Sequence, residues 1–287
     1  MKARYVYLAT AALVVAGWLG NYFFYRSGQL PEGAFLRHYI ETADLPGATF
    51  NLFYAANNRD KRKIVDVRIE ELPGLRFYPP STRASLRHQT IYSLIGHFDI
   101  PSSEQDRRED GEPLKIRSVD VRFNDGTMRR EEIGEIIVYR EKYLQEAGDE
   151  APFEFTSSKG STDHSGSNSG HATRPAVLTG VTSSWLKRLG PALRIEIKTA
   201  GEPTFRPADA GVPLKLDAGD TLSIQYRFDL SASPEVNAMD VYNVLLRPKF
   251  KEADGRQSEK IIFANYDPYP TEAEMRSFVR AKREEAP

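Results

Sequence analysis

Few residues in this sequence have the types and spacing that chemistry requires. Ser184-Trp185-Leu186-Lys187 sets a serine and a lysine one helical turn apart, the arrangement in which an amine relieves a hydroxyl nucleophile of its proton. The Lys-Thr-Gly element expected beside it is broken by alanine in Lys198-Thr199-Ala200-Gly201, no Ser-Asp-Asn lies between, and the flanking sequence is strand-like. The spacing therefore reads as a coincidence. Asp163, His164 and His171 lie in a Ser/Gly-rich stretch where nothing fixes ligand geometry, so they read as solvated loop residues rather than a metal site. His88 and His97 are an odd number of residues apart, which on a strand puts them on opposite faces.

The acidic residues are equally unpromising. Glu70-Glu71 and Glu131-Glu132 are adjacent and would point to opposite faces if they lie in strands, and the spatial separation of carboxylates that glycoside hydrolysis depends on is not encoded in their spacing. Asp217, Asp220, Asp229 and Asp240 lack the dense Asp-x-Asp spacing of a calcium loop. No phosphate-cradling glycine loop, Gly-x-Ser-x-Gly elbow or His-Glu-x-x-His is present. The 287 residues contain no cysteine, which removes thiolate catalysis, disulfides and Cys-ligated metals. The sequence assigns no catalytic residue, no metal ligand and no cofactor.

Three aromatic residues are better placed for binding than for reaction. Trp185, Tyr266 and Tyr269 are the candidate exposed rings, and Tyr266-Asp267-Pro268-Tyr269-Pro270 makes a stiff exit from the last strand that would serve as a stacking platform for a glycan or peptide. The blander role for the same segment is to clamp a sheet edge against the helix that follows.

The elements that must position these residues begin with Tyr5–Tyr25, a run without formal charge. As a helix it is ~31 Å long, the thickness of a bilayer's hydrocarbon core. Tyr5, Tyr7, Trp18, Tyr22 and Tyr25 stand near its ends as interfacial rings do, and Lys2 and Arg4 precede it. The reading is an uncleaved single-pass anchor in the plasma membrane, contacting lipid through residues 5–25, with the amino terminus inside and residues 26–287 outside. A cleaved signal peptide ending at Val15-Ala16-Gly17 is the competing reading. Ala12, Ala16 and Gly20 offer a close-packing stripe for a second span.

Beyond the anchor, Phe35, Leu36, Tyr39 and Ile40 recur at helical spacing and predict a juxtamembrane helical turn over 31–43. From there the period falls to two. Thr49–Glu70 reads as a hairpin, 86–98 as a strand, and 116–139 as a second hairpin about Asn124-Asp125-Gly126. Val65-Asp66-Val67-Arg68-Ile69 and Val119-Asp120-Val121-Arg122-Phe123 share one in-out code, and Gln105–Glu112 is a charged loop. Ser157–Thr173 has no aliphatic residue larger than alanine and predicts a flexible linker over 143–174. Strands resume at Leu193–Lys198, Thr221–Leu230, Val241–Phe250 and Lys260–Tyr266, and Thr271-Glu272-Ala273-Glu274 has capping-box spacing ahead of a C-terminal helix over 271–287.

These patterns predict a mainly β protein: a transmembrane helix within 1–30, then two immunoglobulin-like β-sandwich units over 44–142 and 175–270. The alternative is one larger sandwich with a long disordered insertion. A net charge of −1 gives no general attraction to nucleic acid. The expected function is a non-enzymatic binding or assembly module of the cell envelope, engaging an envelope protein or surface polymer. An exported hydrolase using loop carboxylates and a sensor acting through its membrane helix are the alternatives.

Overall fold

In the computed structural model, which describes residues 2–44, 47–99, 112–139 and 152–285, the segment expected to be a juxtamembrane helix is instead the middle of the molecule. The helix α1 (Lys2–Ser27) leads into strands β1 (Ala34–Phe35) and β2 (His38–Ala43), then β3 (Thr49–Asn57), β4 (Ile64–Arg68), β5 (Leu75–Phe77), β6 (Ser81–Ser85) and β7 (Gln89–Phe98). β8 (Leu114–Phe123) and β9 (Met128–Tyr139) close the first half. The second half supplies β10 (Phe153–Gly160), β11 (Ser165–Ala172), β12 (Ala176–Thr182), β13 (Leu193–Thr199), β14 (Arg206–Pro207), β15 (Leu214–Leu216) and β16 (Thr221–Phe228). It ends with β17 (Val241–Glu252), β18 (Gln257–Glu259), β19 (Ile262–Tyr266) and a C-terminal helix, Glu272–Glu285.

All residues of β2 are buried, and the strand runs parallel to β17 on one side and to β9 on the other. A strand covered on both faces needs apolar residues at consecutive positions. Tyr39-Ile40 and the neighbouring Phe35-Leu36 therefore come as adjacent pairs, which in sequence imitate the stripe of a helix. The pairs point to opposite sides: Ile40, Ile136 and Val138 enter one core, while Tyr39, Ala43, Ile137 and Tyr139 enter another.

Among the described residues the strands form three sheets. The widest runs β15-β12-β17-β2-β9-β8-β4, with β18 and β19 also paired to β17. A five-stranded sheet of β1, β3, β7, β5 and β6 covers one of its faces, and β10-β11-β16-β13-β14 shares the second core. Strands from both halves of the chain thus lie in one sheet, which overturns the expectation of two successive sandwich units. The predicted 49–70 hairpin is also absent, because β3 pairs with β1 and β7 while β4 pairs with β8. The two segments with the shared in-out code prove to be partners: Asp66 faces Arg122 and Val67 faces Val121 across the β4–β8 pair.

The part of the expected linker that is described is ordered sheet. β10 and β11 form a hairpin, and β11 continues onto β16 with Ser169 Oγ and Ser223 Oγ 2.7 Å apart. Its small residues serve packing: a Cβ on Gly170 would collide with the Glu154 carbonyl. Residues 105–111 of the charged loop and 143–151 of the linker lie outside the described residues.

Several local expectations hold. β16 alternates buried Leu222, Ile224, Tyr226 and Phe228 with more exposed neighbours. Gly126 takes φ 84° in the β8–β9 turn, a conformation glycine adopts without strain. The C-terminal helix opens with the capping box, Glu274 accepting from Thr271 N–H at 2.7 Å and Thr271 Oγ1 accepting from Glu274 N–H at 3.3 Å. Its Met275 and Val279 pack with Phe53, Ala55 and Ile91 on the outer side of the first small sheet.

Helix α1 forms as expected, and the side chains described from Tyr5 to Phe24 are exposed. Among the described residues, however, no helix is long and apolar enough to cross a membrane.

Candidate functional site

The stiff segment after β19 is arranged as its prolines dictate. Pro268 and Pro270 are buried and hold Tyr269 outward between them, 60% exposed. The segment crosses from the wide sheet to the first small sheet, so Tyr269 lies where distant parts of the chain meet.

Arg83 supports the exposed ring. It stands at an irregularity in the β6–β7 register, between Thr82 and Ala84, and an extra residue at such a point turns its side chain out of the regular alternation. The guanidinium carbon lies 3.9 Å from the Tyr269 ring centroid and 5.8 Å from that of Phe53. Its Nη2 is 4.0 Å from Asp267 Oδ2, which also accepts from Asn51 Nδ2 at 3.5 Å. Burial raises the Asp267 carboxyl above the usual carboxylate range, and Arg83 and Asn51 pull the other way.

Tyr266 faces the β10–β11 hairpin. His164 occupies the hairpin tip at φ 59°, with its ring 4.3 Å from that of Tyr266. Burial lowers the His164 pKa, opposed by the charges of Asp267 and Asp163. The Tyr266 hydroxyl donates to the Ala238 carbonyl at 3.2 Å, and its pKa is pushed up to about 12, chiefly by burial. One face of the site is therefore a cation held over an aromatic ring, a geometry that fixes both side chains. The other face is free to stack on a planar or sugar-like group, with a partly buried carboxyl and an imidazole beside it.

Trp185 does not belong to this surface. It is 8% exposed and packs edge-on against Tyr39, at 5.3 Å between centroids. Tyr39 stacks on Tyr242, Tyr242 on Phe228, and Phe228 meets Tyr266, so a row of rings through the core connects Trp185 to the site without exposing it. Of the three rings named from sequence, Tyr266 is half-buried and Tyr269 exposed at the two ends of the segment leaving β19, and Trp185 stays inside.

The other sequence candidates are dispersed. His164 and His171 sit at opposite ends of the β11 segment, roughly 20 Å apart along an extended chain. Ser184 is 2.9 Å from the Tyr139 hydroxyl and is not bonded to Lys187. Asp220 and Asp229 flank the two ends of β16, and Asp240 is buried beside Tyr242.

Sequence reasoning missed Arg83, Asp267 and a fully buried carboxylate, Glu41. Glu41 accepts from Tyr139 Oη at 2.9 Å, Ser183 Oγ at 2.7 Å, Ser184 N at 3.1 Å and Leu245 N at 2.9 Å, with Arg247 Nη2 at 3.9 Å. With no exposure it ties four segments together. A charged residue directly after the apolar pair Tyr39-Ile40 was the available signal, since acids are almost never buried without partners. No family model matches the chain, and no curated protein matches it in sequence.

Proposed function

We propose that this is a membrane-anchored, extracytoplasmic module that holds an envelope protein or a surface polymer against its Tyr266–Tyr269 face, without turning it over. The observation that carries the reading is the exposed surface of α1. Leu13, Val14, Val15, Trp18, Leu19, Phe23 and Phe24 are each more than half exposed, and consecutive positions on a helix cover all of its sides. Each large apolar side chain gains about 2 kcal/mol on leaving water, so such a helix belongs in lipid. Crossing the bilayer, as opposed to lying in its interface, rests on the uncharged run Tyr5–Tyr25. The amino terminus stays inside because Lys2 and Arg4 precede the run.

A binding role is supported by the site's make-up: a ring stiffened by an arginine, with hydrogen-bonding groups alongside. Protease added to intact cells tests the location. Digestion of the bulk of the chain, with the tagged amino terminus protected and retained in the membrane fraction, is expected. A chain protected throughout, or one released by washing with carbonate, ends the anchored reading.

A further inference from the structure

The foot of α1 is fastened to the body by polar contacts rather than left as a free tether. Gln89 Nε2 donates to the Gly28 carbonyl at 2.7 Å, and Leu30 N–H and C=O both pair with the Asn57 amide at 2.9 Å. Arg283 of the C-terminal helix donates Nε to the Gln29 carbonyl at 3.1 Å and Nη2 to the Arg26 carbonyl. A cation at the last carbonyls of a helix also offsets the negative end of its dipole. The edge of the Tyr25 ring meets His88 at 5.4 Å, and Arg59 lies 5.4 Å from the same ring.

Beside this joint is a cavity of about 340 Å³, walled by Phe24 and Met275 and rimmed by Arg87, Arg276, Arg280 and Arg283. Arg276, Arg280 and Arg283 follow the spacing of one helix face. Among the described residues, Arg87, Arg276 and Arg280 have no carboxylate partner. Glu272, the acid at the rim, uses Oε1 to accept the Arg87 backbone N–H at 2.7 Å. A second cleft on the same foot is again lined by Phe and Arg, here Phe23, Arg26 and Arg283. The chain as a whole carries a charge of −1, so this concentration of guanidinium groups is local.

We propose that the cavity binds the headgroup phosphate of an anionic phospholipid, with an acyl chain running along Phe24. The proposal rests on the anchored reading above, which sets the cavity at headgroup level. Guanidinium forks suit phosphate oxygens and remain charged at any physiological pH, while the apolar wall is continuous with the lipid-facing side of α1. A soluble phosphate would use the arginines but would leave the exposed ring of Phe24 in water. Bound lipid would hold the β body in one orientation on the bilayer.

The test uses the full chain in detergent micelles, titrated with phosphatidylglycerol or phosphatidylcholine and read by native mass spectrometry, with parallel flotation on vesicles of each lipid. Phosphatidylglycerol is expected to be retained preferentially, and R276A/R280A to weaken it about fivefold per arginine while flotation and thermal unfolding stay as in the parent. R276K/R280K should recover part of the loss. Equal retention of the two lipids, or of parent and R276A/R280A, overturns the lipid site while leaving the anchor intact. Displacement of the lipid by millimolar inorganic phosphate assigns the arginines to a free anion and overturns it too. Failure of the parent chain to float removes both the anchor and the site.

Discussion

The Tyr139 hydroxyl donates to the Glu41 carboxylate at 2.9 Å in the interior of the wide sheet, where strands from the two halves of the chain meet. The remaining Glu41 lone pairs are taken by Ser183, Ser184 and Leu245. Glu41→Gln places amide hydrogens against groups that are themselves donors and is expected to cost about 2 kcal/mol, and Glu41→Ala about 4 kcal/mol by stranding the donors. Urea unfolding measures both. A loss under 0.5 kcal/mol for each would show that the carboxylate is dispensable.

His38 predicts a pH dependence. Its Nε2 accepts the Phe53 N–H at 2.8 Å and its Nδ1 contacts the Ile133 carbonyl at 3.1 Å, so the ring is neutral with the proton on Nδ1. Burial is the main cause lowering its pKa to about 4. A group whose pKa falls on folding binds its proton more readily when unfolded, so stability is full above about pH 6.5 and declines as pH drops toward 4. The decline amounts to about 3 kcal/mol. His38→Gln should flatten that part of the pH–stability curve, and parallel curves for the two proteins would refute the assignment.

Gly134 is the cross-strand partner of His38, with φ 101°. A Cβ there would strike the His38 carbonyl oxygen and sit in a backbone region closed to L side chains. Gly134→Ala should cost roughly 3 kcal/mol, whereas Gly74→Ala, where nothing lies within 4 Å of the new atom, should cost under about 0.5 kcal/mol. Equal melting temperatures for the two variants would contradict the packing described.

At the exposed site, Tyr269→Ala should unfold within about 0.5 kcal/mol of the parent, because its ring is mostly in solvent. It should still lower retention on isolated cell-wall material or envelope proteins about tenfold, as loss of a ring at a binding centre does. Arg83→Ala should do the same by freeing the Tyr269 ring. Unchanged retention in both would move the binding face elsewhere.

Local grammar was readable in the sequence wherever one face of a strand meets water. β16, the Asn124-Asp125-Gly126 turn and the Thr271/Glu274 capping box follow directly from neighbouring residues. β2 was misread because enclosure on both faces erases the alternation that marks a strand. The β10–β11 hairpin was misread because serine and glycine, chosen for close approach of backbones, also make up flexible linkers. The pairing of β4 with β8 and of β2 with β17 joins distant segments, and no local pattern encodes it. The outward placement of Tyr269 is legible because Pro268 and Pro270 flank it, while Arg83 stands in an edge strand whose register irregularity is visible only in three dimensions.

The placement of β2 between two strands synthesised after it, one of them near the end of the chain, sets an order of events during synthesis. Tyr39 and Ile40 emerge early and must wait, uncovered, until Val241–Asn243 arrive to complete their neighbours. Contacts so far apart slow folding. Until then, the apolar surface of β2 is open to misassembly, and chains halted by a stop codon before Val241 should be cleared by proteolysis rather than accumulate.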